Sequence, residues 1–234
     1  MASEYASTEL DLAQMSLRQV NDYLHHQVSA GQGGGVDITN PAGQHSIAVG
    51  LDGEVRVDIH GHAGYYAAAM NKGAQVTVHG NVERGVAENM MSGLVRVKGN
   101  ASQCAGASAR GGLLVVEGDA SSRCGISMKG CDIVVGGSVG HVSGFMGQLG
   151  HLVVCGDAAE GLGDSLYEAV IYVRGQIAGL GADARQEEMA EDDFRLVAVL
   201  LEHAGLGYDA KQFKKVASAR QLYHWNALQS DSYR

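Results

Sequence analysis

The chain has 234 residues with a formal net charge of −9, and it contains 34 glycines but only one proline. This length allows one large domain or two small ones, and abundant glycine without proline excludes collagen and proline-rich linkers. The acidic charge argues against nucleic-acid and anionic-membrane surfaces, which need clustered lysine and arginine, and no apolar stretch approaches the ~20 residues that span a bilayer.

Residues 1–40 are predicted to form an N-terminal helical cap and a linker. The segment 16–29, SLRQVNDYLHHQVS, begins with Ser16 and Gln19 at the spacing of a capping box, and apolar residues follow at helical intervals. The glycine-rich run GQGGG at 31–35 then predicts the end of the helix.

Residues 41–182 are built on a 19-residue repeat. Seven β-like runs each end in an apolar residue, any residue and a glycine, and these glycines recur every 19 residues at Gly61, Gly80, Gly99, Gly118, Gly137, Gly156 and Gly175. Three more slots keep the same phase: an apolar residue four positions before the glycine, a small or branched apolar residue two positions after it, and Ala or Gly seven positions after it. Alternation such as Val76-x-Val78 is typical of a strand with one buried face.

This repeat predicts an all-β fold, a single-stranded right-handed parallel β-helix of about seven 19-residue turns with short helical caps at both ends. Helical repeats of about 33–47 residues do not match the period, and leucine-rich repeats have an Asn/Leu signature that is missing. A left-handed hexapeptide helix fits a 19-residue turn poorly, which favours the right-handed form.

Residues 183–234 are predicted to form a C-terminal helix and a docking tail. The segment 187–206 begins with acidic residues, carries apolar residues at helical intervals and contains glycine at its end. The tail at 213–228 is basic and aromatic. Because aromatic residues are enriched at interfaces, Tyr223 and Trp225 make a docked tail as plausible as a solvated one.

One outward column of the coils is unusually apolar. Val115, Val134 and Val153 stand between the two buried residues of consecutive strands, Tyr172 follows in the next turn, and Leu113 lies beside the column. Large exposed apolar patches mark contact sites. We therefore predict that this column contacts the C-terminal helix or another subunit.

The segment RCGISMKG at 123–130 is open to two interpretations. Basic neighbours lower the pKa of a thiol, so Cys124, with Arg123 before it and Lys129 five residues after it, has the surroundings of a nucleophile. The repeat, however, makes the same segment one turn of a solenoid, which favours architecture. We predict that Arg123, Cys124, Met128 and Lys129 belong to an interface.

No catalytic, cofactor-binding or metal-binding residue is predicted. The four cysteines occupy four different slots of the repeat and do not stack into a metal cage. His60 and His79 share a slot, but Lys98 and Glu117 occupy it in the next turns, so this column is a weak metal signal without carboxylate partners. Cysteines without a C-x-x-C pair, and first residues unlike a signal peptide, lead us to expect a cytoplasmic protein.

Four motifs in order resemble the GXGXG family: GHAGYY at 61–66, AENMMSG at 87–93, RCGISMKG at 123–130 and GDSLYEA at 163–169. That family comprises the C-terminal β-helix domain of glutamate synthase large subunits and the β-helix chain of formylmethanofuran dehydrogenase. The resemblance covers roughly residues 10–228. With its C-terminal RQLYHWN, the chain is most similar to the small glutamate-synthase-like β-helix subunit of N-methylglutamate synthase.

The resemblance implies a hetero-oligomer with a division of labour. One partner would be a class II amidotransferase-like subunit, and another an FMN-binding glutamate-synthase-like subunit that also carries an iron–sulfur cluster. The β-helix chain would be a non-catalytic assembly subunit without a cofactor, and the complex would make N-methylglutamate from methylamine and glutamate. In agreement, Ala2 rather than a cysteine follows Met1, and the sequence has neither a phosphate-binding strand–loop–helix nor an iron–sulfur cysteine cluster.

Two alternatives stay open. A scaffold like the β-helix chain of formylmethanofuran dehydrogenase differs only in its partner, a molybdenum or tungsten enzyme instead of an FMN enzyme. A self-sufficient β-helix enzyme would use Cys124 with its basic neighbours, or His60 and His79, in an outer groove. Within the assembly role, the turns at 123–130 and 141–148 are expected to line a path for ammonia or methylamine between subunits.

Overall fold

The structure is a computed structural model that describes residues 7–29 and 34–220. Within these residues eleven strands form one sheet, in the order β1-β2-β3-β4-β5-β6-β7-β8-β9-β11-β10. The strands are β1 (Ser7–Asp11), β2 (Gly35–Thr39), β3 (Arg56–His60), β4 (Lys72–Val78), β5 (Ser92–Val97), β6 (Leu113–Val116), β7 (Lys129–Val135), β8 (Leu149–Val154), β9 (Val170–Val173), β10 (Ala184–Glu187) and β11 (Lys214–Ser218). The helices are α1 (Leu17–Ser29) and α2 (Glu191–Ala204), and a 3₁₀ turn lies at Ala210–Gln212.

The seven strands β3 to β9 stack in parallel with a register of 19 residues. The partners in this register include the buried column Val57, Val76, Val95, Leu114, Ile133, Leu152 and Ile171. A column of isolated bridges repeats the same step from Ala63 to Ile177. The predicted parallel β-helix of about seven turns is therefore confirmed.

The core of the β-helix is a stack of aliphatic ladders. The column that begins at Val57 is at most 1% exposed, and the column two residues further along each strand, from Ile59 to Val173, is completely buried. Full burial of one such side chain stabilises a fold by about 1.5–3 kcal/mol. The repetition of these columns explains why the sequence keeps them in phase.

Each of the six turns between consecutive strands from β3 to β9 contains three alternating residues with positive φ. In the turn at 123–127 these are Arg123 (φ 59°), Gly125 (φ 69°) and Ser127 (φ 53°), and the same slots are left-handed in five other turns. The left-handed conformation costs a residue other than glycine about 1–2 kcal/mol. Hydrogen bonds to both neighbouring coils hold the turn: the N–H groups of Arg123 and Ser127 donate to the next coil, and that of Gly125 donates to the preceding one.

Helix α1 covers the N-terminal end of the core. Ser16 and Gln19 form the predicted capping box, with the Gln19 N–H donating to Ser16 Oγ and the Ser16 N–H donating to Gln19 Oε1. The Asn21 amide supplies two hydrogen bonds that a preceding coil would otherwise form. Its Nδ2 donates to Ser46 O, and its Oδ1 accepts from the buried Ala48 N–H. Strand β1, which was not predicted, and strand β2, in a segment whose sequence suggested an irregular strand pair, extend the sheet on this side.

At the C-terminal end, two strands accompany the predicted helix. The last coil strand, β9, pairs antiparallel with β11, which in turn pairs antiparallel with β10, so strands rather than a helix continue the sheet. Helix α2 is present and ends at Gly205, which adopts a left-handed φ of 70°. It packs against the flank of the coils. Neither described helix has the length and apolar character to cross a membrane.

Candidate functional site

The outward apolar column lies beneath the C-terminal segment. Val115, Val134 and Val153 are completely buried, Tyr172 is 1% exposed, and all four pack with apolar residues of α2 and of the segment after it. Leu113 is partly buried at the edge of the same cluster. Of the two neighbours that the sequence proposed for this column, the C-terminal helix is the one that covers it.

A buried polar contact fixes the start of α2. Tyr172 Oη donates to Asp193 Oδ1 at 2.6 Å, while the Ala190 N–H and Lys215 Nζ reach Asp193 Oδ2 at 2.8 and 3.1 Å. Burial acts to raise the pKa of Asp193, but these hydrogen bonds outweigh it and lower that pKa. Burial, together with the Asp193 carboxylate, raises the pKa of Tyr172 far above its ordinary value. The contact ties α2 to β9 and β11.

A single arginine fixes the end of α2. Arg96 of β5 donates from Nη1 to Ala204 O at 2.9 Å and from Nη2 to His203 O at 3.2 Å, and it pairs with Glu117 at 3.0 Å. These are carbonyls that the helix cannot satisfy by itself. Since α2 is held at both ends, the valine column is part of the interior of the fold and is not open to a partner.

The side chains of RCGISMKG separate into two groups. Cys124 and Met128 are completely buried inside the coil, whereas Arg123 is exposed and Lys129 is partly buried. Burial, reinforced by nearby Cys104, raises the pKa of the Cys124 thiol to about 12. The thiol is therefore protonated at neutral pH, and the expectation of Cys124 and Met128 at an interface does not fit their inward-facing side chains. The side chains of Arg123 and Lys129 remain accessible for contact with a partner.

The other three cysteines are also buried, and the described residues contain no metal-binding cluster. Cys104, Cys131 and Cys155 are buried free thiols, and burial raises the pKa of both Cys131 and Cys155 to about 12. No group of three or more His, Cys, Asp or Glu side chains within the described residues could hold a metal ion.

The histidine pair has carboxylate partners that the sequence did not predict. The rings of His60 and His79 stack with centroids 4.9 Å apart. His60 Nε2 lies 2.6 Å from Asp37 Oδ1, and His79 Nε2 lies 2.8 Å from Asp58 Oδ1. The first partner was missed because β2 precedes β3 by 21 residues, outside the 19-residue period. Imidazole and carboxylate groups are the side chains that general acid–base catalysis uses most, although exposed pairs of this kind contribute little to stability.

A polar ladder was also missed. In the slot directly after the first six strand-ending glycines, a side-chain atom accepts the backbone N–H of the next coil at 2.7–3.0 Å. The accepting residues are His62, Asn81, Asn100, Asp119, Ser138 and Asp157. The recurrence of short polar residues in one slot was a visible signal. This ladder stabilises the stacking of the coils.

The open surface lies at the turns of the central coils. We define the central turn face as residues 103–111, 122–130 and 141–149, which fall four to twelve positions after three consecutive strand-ending glycines. It carries Arg123 and Lys129, and it exposes Met146 by 48% and Leu149 by 52%. The turns expected to line a path between subunits, 123–130 and 141–148, lie within it. Tyr223 and Trp225 lie outside the described residues.

These features define a parallel β-helix protein whose described thiols are buried and whose flank is covered by its own C-terminal helix. The chain is 53% identical to Protein GlxC of Rhizobium meliloti (strain 1021) over 225 residues, which cover 96% of this chain and 99% of that protein. The chain therefore belongs to the family of Protein GlxC. No protein-family model matches the chain, so the resemblance to the GXGXG family rests on its four motifs.

Proposed function

We propose that the chain is a non-catalytic assembly subunit of a glutamate-synthase-like complex, N-methylglutamate synthase in particular. Its partners in this proposal are a class II amidotransferase-like subunit and a subunit that carries FMN and an iron–sulfur cluster. The complex would be cytoplasmic and would form N-methylglutamate from methylamine and glutamate. The relationship to Protein GlxC over nearly the whole chain is consistent with this assignment.

The observation that carries the proposal is the structural use of the groups that chemistry would need. The thiol of Cys124 is sealed in the core. The carboxylates of Asp119 and Asp157 accept backbone N–H groups of neighbouring coils. The carboxylate of Asp193 holds α2 in place. A chain that uses its nucleophiles and acids in this way suits a supporting role.

The test is to isolate the full chain, tagged at its N-terminus, from the cells that produce it. The proposal predicts a yellow complex with a flavin absorbance spectrum, containing an amidotransferase-like and an FMN-binding chain. A molybdenum or tungsten enzyme as the partner would point instead to a complex of the formylmethanofuran dehydrogenase type. A colourless protein recovered alone contradicts the assembly role.

The second candidate is a self-sufficient β-helix enzyme, which is favoured by the carboxylate-paired histidines His60 and His79. Here the variants His60→Gln and His79→Gln are decisive, with Lys98→Gln in the same slot as the matched control. The assembly proposal predicts that all three variants leave the turnover of the complex within about twofold, since exposed pairs contribute little. A loss of about a hundredfold or more, confined to the histidine variants, would be the effect of removing a general acid or base.

A further inference from the structure

We propose that the central turn face binds an acidic segment of another polypeptide chain. The cations of the face would contact the carboxylates of that segment, and Met146 and Leu149 would contact its apolar residues. This inference rests on the proposed assembly function and identifies the chemistry of one partner surface.

The charge of the face is the first argument. Its three segments contain no Asp or Glu but hold Arg110, Arg123 and Lys129, although the whole chain has a net charge of −9. Arg110 and Lys129 occupy the same slot of successive coils, where backbones are roughly 4.8 Å apart. Two like charges on neighbouring coils repel each other. A carboxylate of a bound partner would relieve this repulsion.

Lys72 occupies the same slot in an earlier coil and does have an ion-pair partner. Lys72 stands eleven residues after its glycine, as do Arg110 and Lys129, and its Nζ lies 3.0 Å from Asp52 Oδ2. Among the residues that the structure describes, Arg110, Arg123 and Lys129 form no ion pair. A cation in this slot can thus form an ion pair within the chain, as Lys72 does, but Arg110 and Lys129 in the central coils form none with the described residues.

The exposed apolar side chains are the second argument. Nine large hydrophobic side chains are exposed in the described part of the chain, and seven of them lie four to twelve residues after a strand-ending glycine: Tyr65, Tyr66, Met70, Met91, Met146, Leu149 and Tyr167. Single exposed hydrophobic residues are ordinary. Two of these, Met146 and Leu149, lie on the central turn face, where Leu149 is the strand partner of Lys129, and such apolar side chains beside a cation suit a contact surface. Methionine in particular adapts its shape to a partner.

Charge complementarity selects the occupant. Cations beside exposed methionine and leucine match a segment that alternates carboxylates with apolar residues. Nucleic acid fits less well, because three cations on a chain with a net charge of −9 are few for binding to a phosphate backbone. A second copy of this chain, which has its own acidic run at 187–193, is the competing occupant that the experiment must separate.

The experiment is zero-length carbodiimide coupling on the complex isolated through the full-length tagged chain, followed by mass spectrometry of the joined peptides. This reagent joins lysine amines only to carboxylates in direct contact. We expect Lys129 to couple to an Asp or Glu of a different polypeptide, whereas Lys211, exposed and outside the face, does not. Coupling of Lys129 to this chain's own acidic run would overturn the proposal in favour of self-association.

A charge-reversal variant gives the second measurement. Arg110→Glu combined with Arg123→Glu and Lys129→Glu is compared with Arg18→Glu combined with Arg195→Glu and Lys211→Glu, which changes the net charge equally at exposed sites outside the face. We expect the first variant, but not the second, to associate with the partner chains at least about tenfold more weakly. We also expect added salt to weaken the unmodified complex but to have no such effect on the first variant. An intact complex with the first variant overturns the inference while leaving the assembly function standing. Recovery of the unmodified chain alone overturns both.

Discussion

At the scale of single residues, the direction of a side chain decides its chemistry. The sequence placed Cys124 correctly in a turn beside basic residues, but alternation in a strand does not describe a turn whose residues 123, 125 and 127 are left-handed. The inward direction of Cys124 and Met128 was therefore out of reach. The outward direction of Arg123 followed from its charge alone.

The first residue-scale prediction concerns Cys124. Because the thiol is completely buried with a pKa of about 12, we expect less than about a tenth of it to react with iodoacetamide at pH 7.5 in the time that labels a free thiol fully. Mass spectrometry of the labelled peptides measures this, with the urea-unfolded chain as the control. Rapid labelling of the folded protein would show that the turn opens.

The second concerns the Ala-or-Gly slot of the turns. Gly106 and Gly125 have nearly the same φ, 68° and 69°, but a Cβ on Gly106 would lie 2.6 Å from Ile133 Cδ1, whereas at Gly125 the nearest atom is Met128 Sδ at 3.3 Å. Both Ala variants carry left-handed strain, so the difference between them isolates crowding. We expect Gly106→Ala to be less stable than Gly125→Ala by about 1 kcal/mol in urea unfolding. Equal stabilities would mean that Ile133 moves without cost.

At the scale of elements, the 19-residue period was enough to predict seven strands. The four other strands lie outside that period. β1 and β2 pair with an offset of 28 residues and β2 and β3 with one of 21, while β10 and β11 are antiparallel. Both helices were predicted from caps and apolar spacing, and the apolar column predicted a contact for α2 on the flank. The hydrogen bonds of Arg96 and Tyr172 that hold α2 there were not predicted.

Helix α1 gives an element-scale prediction. Asn21→Ala leaves the buried Ala48 N–H without its acceptor, so we expect the free energy of unfolding to fall by about 1–3 kcal/mol. The control is Asp22→Ala, an exposed neighbour in the same helix, which should change it by less than about 0.5 kcal/mol. Both are measured by urea unfolding followed by circular dichroism. Equal effects would remove Asn21 from its role at the end of the coils.

Helix α2 gives a prediction that depends on pH. Tyr172→Phe removes the 2.6 Å hydrogen bond to Asp193 and should lower the free energy of unfolding at pH 7 by about 1.5–3 kcal/mol. Because the folded protein lowers the pKa of Asp193, its ionised form stabilises the fold above the unfolded pKa of about 3.9, and this contribution is lost as pH falls below it.

The difference between wild type and Tyr172→Phe should therefore shrink between pH 5 and pH 2. Urea unfolding at several pH values measures it, with Tyr208→Phe as the control, because Tyr208 is 36% exposed and its ring keeps its contact with Arg174. A difference that does not change with pH would assign the effect of Tyr172 to packing alone.

At the scale of the whole molecule, one flank of the coils is covered by α2, and seven exposed large hydrophobic side chains lie four to twelve residues after the strand-ending glycines. The apolar column was predictable because alternation holds in strands. Arg123 and Lys129 were identified within one motif, and the turn 141–148 with Met146 was placed beside that motif from the sequence, but Arg110 and Leu149 were not. A search for local motifs does not find residues that lie in different turns and come together only through stacking.

The most direct measurement of the central claim is assembly of the amidotransferase-like and FMN-binding partner chains with and without this chain, followed by sedimentation and turnover. We expect the two partners to sediment together and to couple their reactions only when the β-helix chain is present. Partners that assemble and turn over equally well without it would contradict the assembly role.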